Sequence, residues 1–163
     1  PGRTTTTITS KYLLIIPVFC LLLNSCGKRI VYTDSSAMDK NTWNLMNVVS
    51  FTVPVTDTVN SNNIFFSIRT GSSYPFRNIW LFVSTTSPDG RTISDTLQYI
   101  LADEKGEWKG KGFGDIRELG LPYKSNVYFP RKGNYIFKIQ HGMRTEDLKG
   151  VYDFGIRVEK ISK

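Results

Sequence analysis

From Val48 onward, apolar side chains recur with a period of two and nowhere sustain a period of 3.6. Val49, Phe51, Val53 and Val55 alternate with small or polar neighbours, and Ile64, Phe66 and Ile68 recur at the same spacing. Tyr135, Phe137 and Ile139 repeat the pattern, and so do Phe154, Ile156 and Val158. Successive side chains of a strand point to opposite faces, so each run predicts a strand with one face buried. Pro54 has no N–H to give to a ladder, which assigns its strand to a sheet edge or a bulge. The run Ile79-Trp80-Leu81-Phe82-Val83 is apolar on both phases and reads as a central strand covered on both faces. It stops at Ser87-Pro88-Asp89-Gly90, where Pro88 presets φ and Gly90 accepts the positive φ of the return. A hairpin over 78–100, turning at Pro88–Arg91, is therefore expected, and Val127-Tyr128-Phe129 reads as a further strand. No helix-length segment separates the strands. That excludes a βαβ architecture and predicts one all-β domain over 48–160, an antiparallel β-sandwich of jelly-roll type.

The first 25 residues have another character. They carry Arg3 and Lys11, no acidic residue, and an apolar run from Tyr12 to Leu23 that Pro17 interrupts. A bilayer span needs about 20 apolar residues, so this run is too short to be one. A basic start, a short apolar core and a small residue before a cut site make residues 1–25 a secretory signal peptide. Leu23-Asn24-Ser25-Cys26 has the form of a lipobox, in which the cysteine is acylated and becomes the new N-terminus; an incidental cysteine in an ordinary secreted protein is the alternative. Residues 26–47 are polar, with Asp34-Ser35-Ser36, and read as the lipidated N-terminus and a tether. Gly27 stands where an inner-membrane retention signal would have Asp, which favours the periplasmic face of the outer membrane.

Cys20 and Cys26 are the two cysteines of the chain. With Cys20 in the leader and Cys26 acylated, neither a disulfide nor a cysteine metal site is expected. Removing Arg3 and Lys11 with the leader leaves 19 of the 21 Lys and Arg against all 14 acids, an excess of five positive charges. Export removes the nucleic-acid reading of that excess. Anionic lipid headgroups, peptidoglycan or an acidic protein partner suit it instead, as does a surface merely facing water.

Catalytic chemistry is hard to assemble. Gly110-x-Gly112 is followed by Asp115 where a dinucleotide fingerprint would place its third glycine, and the strand-to-helix context is missing. Those glycines read as places where the backbone bends or passes a neighbour closely. His141 is the sole histidine, with no nucleophile-elbow sequence near it, and reads as a structural hydrogen-bonding group at a strand end. One histidine and no usable cysteine argue against a zinc site. No metal, no cofactor and no enzymatic activity are expected.

Several segments, in order behind the lipobox, carry a family resemblance. They are Tyr74-Pro75-Phe76-Arg77-Asn78-Ile79-Trp80-Leu81-Phe82, Pro88-Asp89-Gly90-Arg91-Thr92 and Asp95-Thr96-Leu97. Gly106-Glu107-Trp108-x-Gly110-Lys111-Gly112-Phe113-Gly114-Asp115 follows, then Phe129-Pro130-x-x-Gly133-x-Tyr135. Gln140-His141-Gly142-Met143-Arg144 and the stretch from Leu148 to Glu159 complete the set. Together they resemble the gliding-motility lipoprotein family GldH of Bacteroidetes, with Gly142 where the family pattern has Ala. The residues after Cys26, Lys28-Arg29-Ile30, lack the acidic cluster that marks surface-exported lipoproteins of that group. The resemblance implies a non-catalytic envelope lipoprotein, held on the membrane by its lipid anchor, that supports gliding or the type IX secretion machinery through protein partners. Because members also occur in bacteria that do not glide, envelope assembly or secretion support is the broader expectation.

If the domain has a functional surface, Trp108, Lys109, Lys111, Phe113 and Arg117 are the candidates, since they interleave aromatic and cationic groups as protein contacts do. The competing reading puts Trp108 and Phe113 in the core and leaves the lysines to solvent. A different class of function, a carbohydrate- or peptidoglycan-binding module on a jelly roll, is favoured by exposure of Trp80 or Trp108 beside polar groups.

Overall fold

Two four-stranded antiparallel sheets face one another across the alternating apolar residues, in a computed structural model that describes Gly2 and residues 29–161. The strands are β1 (Arg29–Ala37), β2 (Thr42–Asn44), β3 (Val49–Val55), β4 (Asn62–Thr70) and β5 (Asn78–Thr86). They continue with β6 (Thr92–Ile100), β7 (Arg117–Val127), β8 (Gly133–His141), β9 (Asp147–Lys149) and β10 (Val151–Lys160). One sheet has the order β1-β10-β4-β7 and the other β3-β8-β5-β6, with β2 and β9 as a separate two-stranded ribbon. The chain is all-β, an antiparallel sandwich.

The period-two pattern becomes the core directly. Val49, Phe51, Val53 and Val55 of β3 are buried while the residues between them are exposed. Ile64, Phe66 and Ile68 of β4 and Phe154, Ile156 and Val158 of β10 meet Tyr135, Phe137 and Ile139 of β8 in the same cluster. Polar bridges fasten the sheets along their β6 and β7 margins. The Tyr123 hydroxyl donates to Asp95 Oδ2 at 2.7 Å, and the Tyr99 hydroxyl donates to the Pro122 carbonyl at 2.7 Å. The 78–100 hairpin forms in the expected register, Asn78 opposite Ile100 and Thr86 opposite Thr92, with Gly90 at φ +84°. Pro54 lies on β3, an edge strand, as its missing N–H requires.

Three expectations are corrected. The tether expected over 26–47 is, from Arg29 on, part of the fold: β1 pairs with β10 from Arg29 opposite Lys160 to Ala37 opposite Asp153. Five of the seven residues after Ile30 are polar or small because β1 is an edge strand whose faces are mostly open to water. Trp43 of β2, within the same stretch, is wholly buried and donates its indole N–H to the Asn47 carbonyl at 2.8 Å. The strand expected at 127–129 is instead β7, ending at Val127; Gly120, Pro122 and two register shifts against β4 hide its alternation of Leu119, Leu121 and Tyr123. Finally, β5 is central in its sheet but covered on one face only. Ile79, Leu81 and Val83 are buried, whereas Trp80 and Phe82 face outward and are exposed.

The burial of Trp43 gives a direct measure of the first correction. Trp43→Ala should lower the unfolding free energy by about 3–5 kcal/mol in a denaturant titration, as large-to-small changes in a core do. A tether position would move it by no more than about 0.5 kcal/mol.

Candidate interaction surface

The residues between β6 and β7 form a two-stepped loop at one end of the sandwich. Lys109 N–H donates to the Leu101 carbonyl at 2.9 Å, and Lys111 exchanges backbone hydrogen bonds with Glu118 at 2.9 and 2.7 Å. Both glycines expected to permit close approach do so. A Cβ on Gly110 would lie 2.6 Å from the Glu118 carbonyl oxygen, and one on Gly112 would lie 1.9 Å from that of Ile116. The loop is thus a tight backbone hairpin whose tip is turned outward. Phe113 occupies the tip and is 96% exposed. Lys109 and Lys111 are exposed beside it, and Arg117 folds back to donate to the carbonyls of Gly114 and Ile116. Trp108 takes the other course. It is half-buried against the core, edge-on to Tyr74 at 5.8 Å between ring centroids. The five candidates therefore separate. Phe113, Lys109 and Lys111 make an outward surface, Arg117 holds the loop's shape, and Trp108 anchors its base.

A second surface lies on the outer face of the β3-β8-β5-β6 sheet. Trp80, 39% exposed, stands opposite Gln98, and Phe82 stands between Thr96 of β6 and Gln140 of β8. Gly142 leaves the space that the Phe82 ring fills; a Cβ there would lie 2.9 Å from it. The second apolar phase of 79–83 marks this pair in the sequence, and the face it lies on is uncovered. At the end of the sandwich remote from Phe113, a largely apolar groove of about 360 Å³ runs between Ile93 and Tyr128, floored by Tyr123, Tyr135 and Phe137.

His141 is fully buried at the end of β8, edge-on to Trp43 at 5.6 Å. Neither ring nitrogen has a hydrogen bond of acceptable geometry, so the expected structural hydrogen-bonding role is corrected to one of packing. Burial holds its pKa below the ordinary histidine value, against a smaller upward pull from the carbonyls of Trp43 and Glu146. Burial also pushes the Tyr99 hydroxyl up to about 12. Among the described residues no three His, Cys, Asp or Glu side chains converge as metal ligands. No helix among them is long and apolar enough to cross a membrane. Cys26 lies outside the described residues.

Fold and surface define a β-sandwich with a looped hairpin displayed at one end. Sequence relationship makes the assignment specific. The GldH lipoprotein family matches residues 30–158, and the chain belongs to that family. It is 35% identical over 159 residues to a gliding motility lipoprotein GldH homolog of Christiangramia forsetii, covering 93% of this chain and 97% of that one. It is 36% identical over 153 residues to the gliding motility lipoprotein GldH of Flavobacterium johnsoniae, covering 90% and 94%. Among solved structures, a carbohydrate-binding module of the β-sandwich superfamily aligns over 80% of this chain and 56% of its own, with TM-score 0.29 and 14% identity. A family 16 carbohydrate-binding module aligns over 80% and 83%, with TM-score 0.27 and 9% identity.

Burial of a neutral His141 has a pH signature. Its folded pKa is depressed, so the unfolded chain takes up the proton first as pH falls below about 6.5. Stability is full above that value and declines below it, by at most about 1.4 kcal/mol per pH unit for one proton. Denaturant titrations between neutral and mildly acidic pH should show this decline in the native protein and a shallower one in His141→Phe.

Proposed function

We infer that this chain is a non-catalytic envelope lipoprotein, acylated at Cys26 and held at the periplasmic face of the outer membrane, that supports gliding motility and the type IX secretion apparatus by binding a protein partner. Both relatives carry gliding motility in their names, and the partner surface is the loop around Phe113. The observation that carries the reading is Phe113 itself, 96% exposed at the tip of a loop whose glycines pass close to Ile116 and Glu118. A large aromatic side chain held in water has no role in stability, and aromatic anchors beside cations are what protein contacts use. Lys109 and Lys111 add a positive rim suited to an acidic partner.

Two experiments separate the parts of this reading. Cys26→Ala should leave the protein outside the membrane fraction and unlabelled by palmitate; labelling and fractionation like the native protein would refute the anchor. Lys109→Glu with Lys111→Glu should leave the melting temperature nearly unchanged, because exposed charge changes cost within about 0.5 kcal/mol. The same pair should abolish partner cross-linking in cells and the motility or secretion phenotype. Full function in that variant would return the loop to a scaffold role.

A glycan-binding reading is favoured by one observation, the exposure of Trp80 beside Gln98. An aromatic face next to an amide suits a sugar ring. Trp80→Ala would then lose sedimentation with peptidoglycan while cross-linking through the Phe113 loop persists.

A further inference from the structure

The start of β1 fixes which end of the sandwich a membrane anchor would hold. Three residue steps separate Cys26 from Arg29, and extended backbone reaches at most about 11 Å over that length. Arg29 is already paired with Lys160. Antiparallel order brings to this same end the last residues of β10, the 56–61 loop, the 87–91 turn and the 128–132 loop. Strands of nine residues at about 3.3 Å each put the opposite end, where Phe113 projects, about 30 Å away.

That end is built unlike the other. Asp57 accepts from Val59 N–H at 2.9 Å, from Asn60 N–H at 3.1 Å and from Lys160 Nζ at 2.7 Å. The carboxylate thus ties the 56–61 loop to the end of β10 and presents Val59 to solvent at 80% exposure. Tyr128 projects from the neighbouring loop, and Ile30 and Val31 are exposed on β1 itself. Asp89 holds the guanidinium groups of Arg91, at 2.7 Å, and of Arg131, at 3.0 Å, on the same end. Counting Arg29, the last two residues of β10 and the three connections, it carries five basic side chains against three acidic ones, of which Glu159 is buried. The connections at the Phe113 end, 38–41, 71–77, 101–116 and 142–146, carry six of each. The positive excess and the exposed aliphatic groups therefore share the end that receives the anchor.

We propose that this end, with Val59, Tyr128, Arg29, Arg131 and Lys132, docks on the membrane surface against anionic lipid headgroups, so that the domain stands on the bilayer and displays the Phe113 loop away from it. The inference rests on acylation at Cys26. Basic groups feel the field of an anionic leaflet only within about a Debye length, roughly 8–10 Å at physiological salt, and the short reach from Cys26 holds Arg29 at a comparable distance.

The test uses the full-length acylated protein in vesicles of phosphatidylethanolamine and phosphatidylglycerol. Val59→Cys and Phe113→Cys are each labelled with a fluorophore, and a quencher is carried on lipid headgroups. Flotation with vesicles is read on the same samples. The expected result is loss of most emission at position 59 and none at 113. Equal quenching at both positions, in protein that floats, overturns the orientation and leaves the anchor standing. Failure to float overturns the anchor and the orientation with it. A long Gly/Ser spacer inserted between Lys28 and Arg29 isolates the headgroup contact. With the spacer, quenching at 59 should persist on phosphatidylglycerol vesicles and vanish on phosphatidylcholine ones. Its loss on both would show that the short link alone, and not the charged surface, holds the domain down.

Discussion

Phe154 of β10 is the side chain around which the interior is assembled. Its ring lies 5.1 Å from Trp43 and 5.4 Å from Phe66, centroid to centroid. Phe66 stacks on Tyr123 at 4.8 Å, and Tyr123 meets Phe137 of the opposing sheet at 6.5 Å. One continuous series of rings therefore joins the β2–β9 ribbon, the first sheet and the second. Aromatic pairs in such offset and edge-on arrangements add about 0.5–1.5 kcal/mol each beyond the area they bury. The two sheets, the ribbon and the N-terminal strand all take their positions from β10, which lies between β1 and β4 and carries Phe154 inward.

The sandwich was readable wherever its strands obey strict alternation. β3, β4, β8 and β10 each carry apolar residues at every second position of one phase, and the Pro88–Gly90 turn fixes the register of β5 against β6. The pattern fails where burial stops governing sequence. β1 covers little of the core, so a polar edge strand looks like a linker until its partner is known. β7 has the right alternation, but Pro122 and its bulges interrupt it, and the glycines before it draw the eye to the wrong segment. β2 is three residues long, too short for any period to show, although its Trp43 is wholly buried.

The candidate surface was legible by composition and not by geometry. Aromatic and cationic residues interleaved among glycines marked 106–117 as unusual, yet nothing in the order of residues says that Trp108 turns in and Phe113 turns out. That division comes from two contacts distant in sequence, Trp108 with Tyr74 and the glycines with Ile116 and Glu118. Trp80 and Phe82 were legible as apolar and not as exposed, for the opposite reason. A strand apolar on both phases is ordinarily covered on both faces, and here one face of the sheet has no layer over it.

The pairing of β1 with β10 also sets the order in which the chain can fold. The first strand to emerge has as its sheet partner the last one, more than a hundred residues later, and β4 likewise pairs with β10. Until the C-terminal strand arrives, one sheet lacks the strand that joins its edge to its middle, and Phe66 lacks the ring it packs against. The β1-β10-β4-β7 sheet therefore closes only once β10 has joined it. Topologies with such distant pairings fold slowly. Here that slowness is confined to one sheet, because β3, β8, β5 and β6 pair without β10.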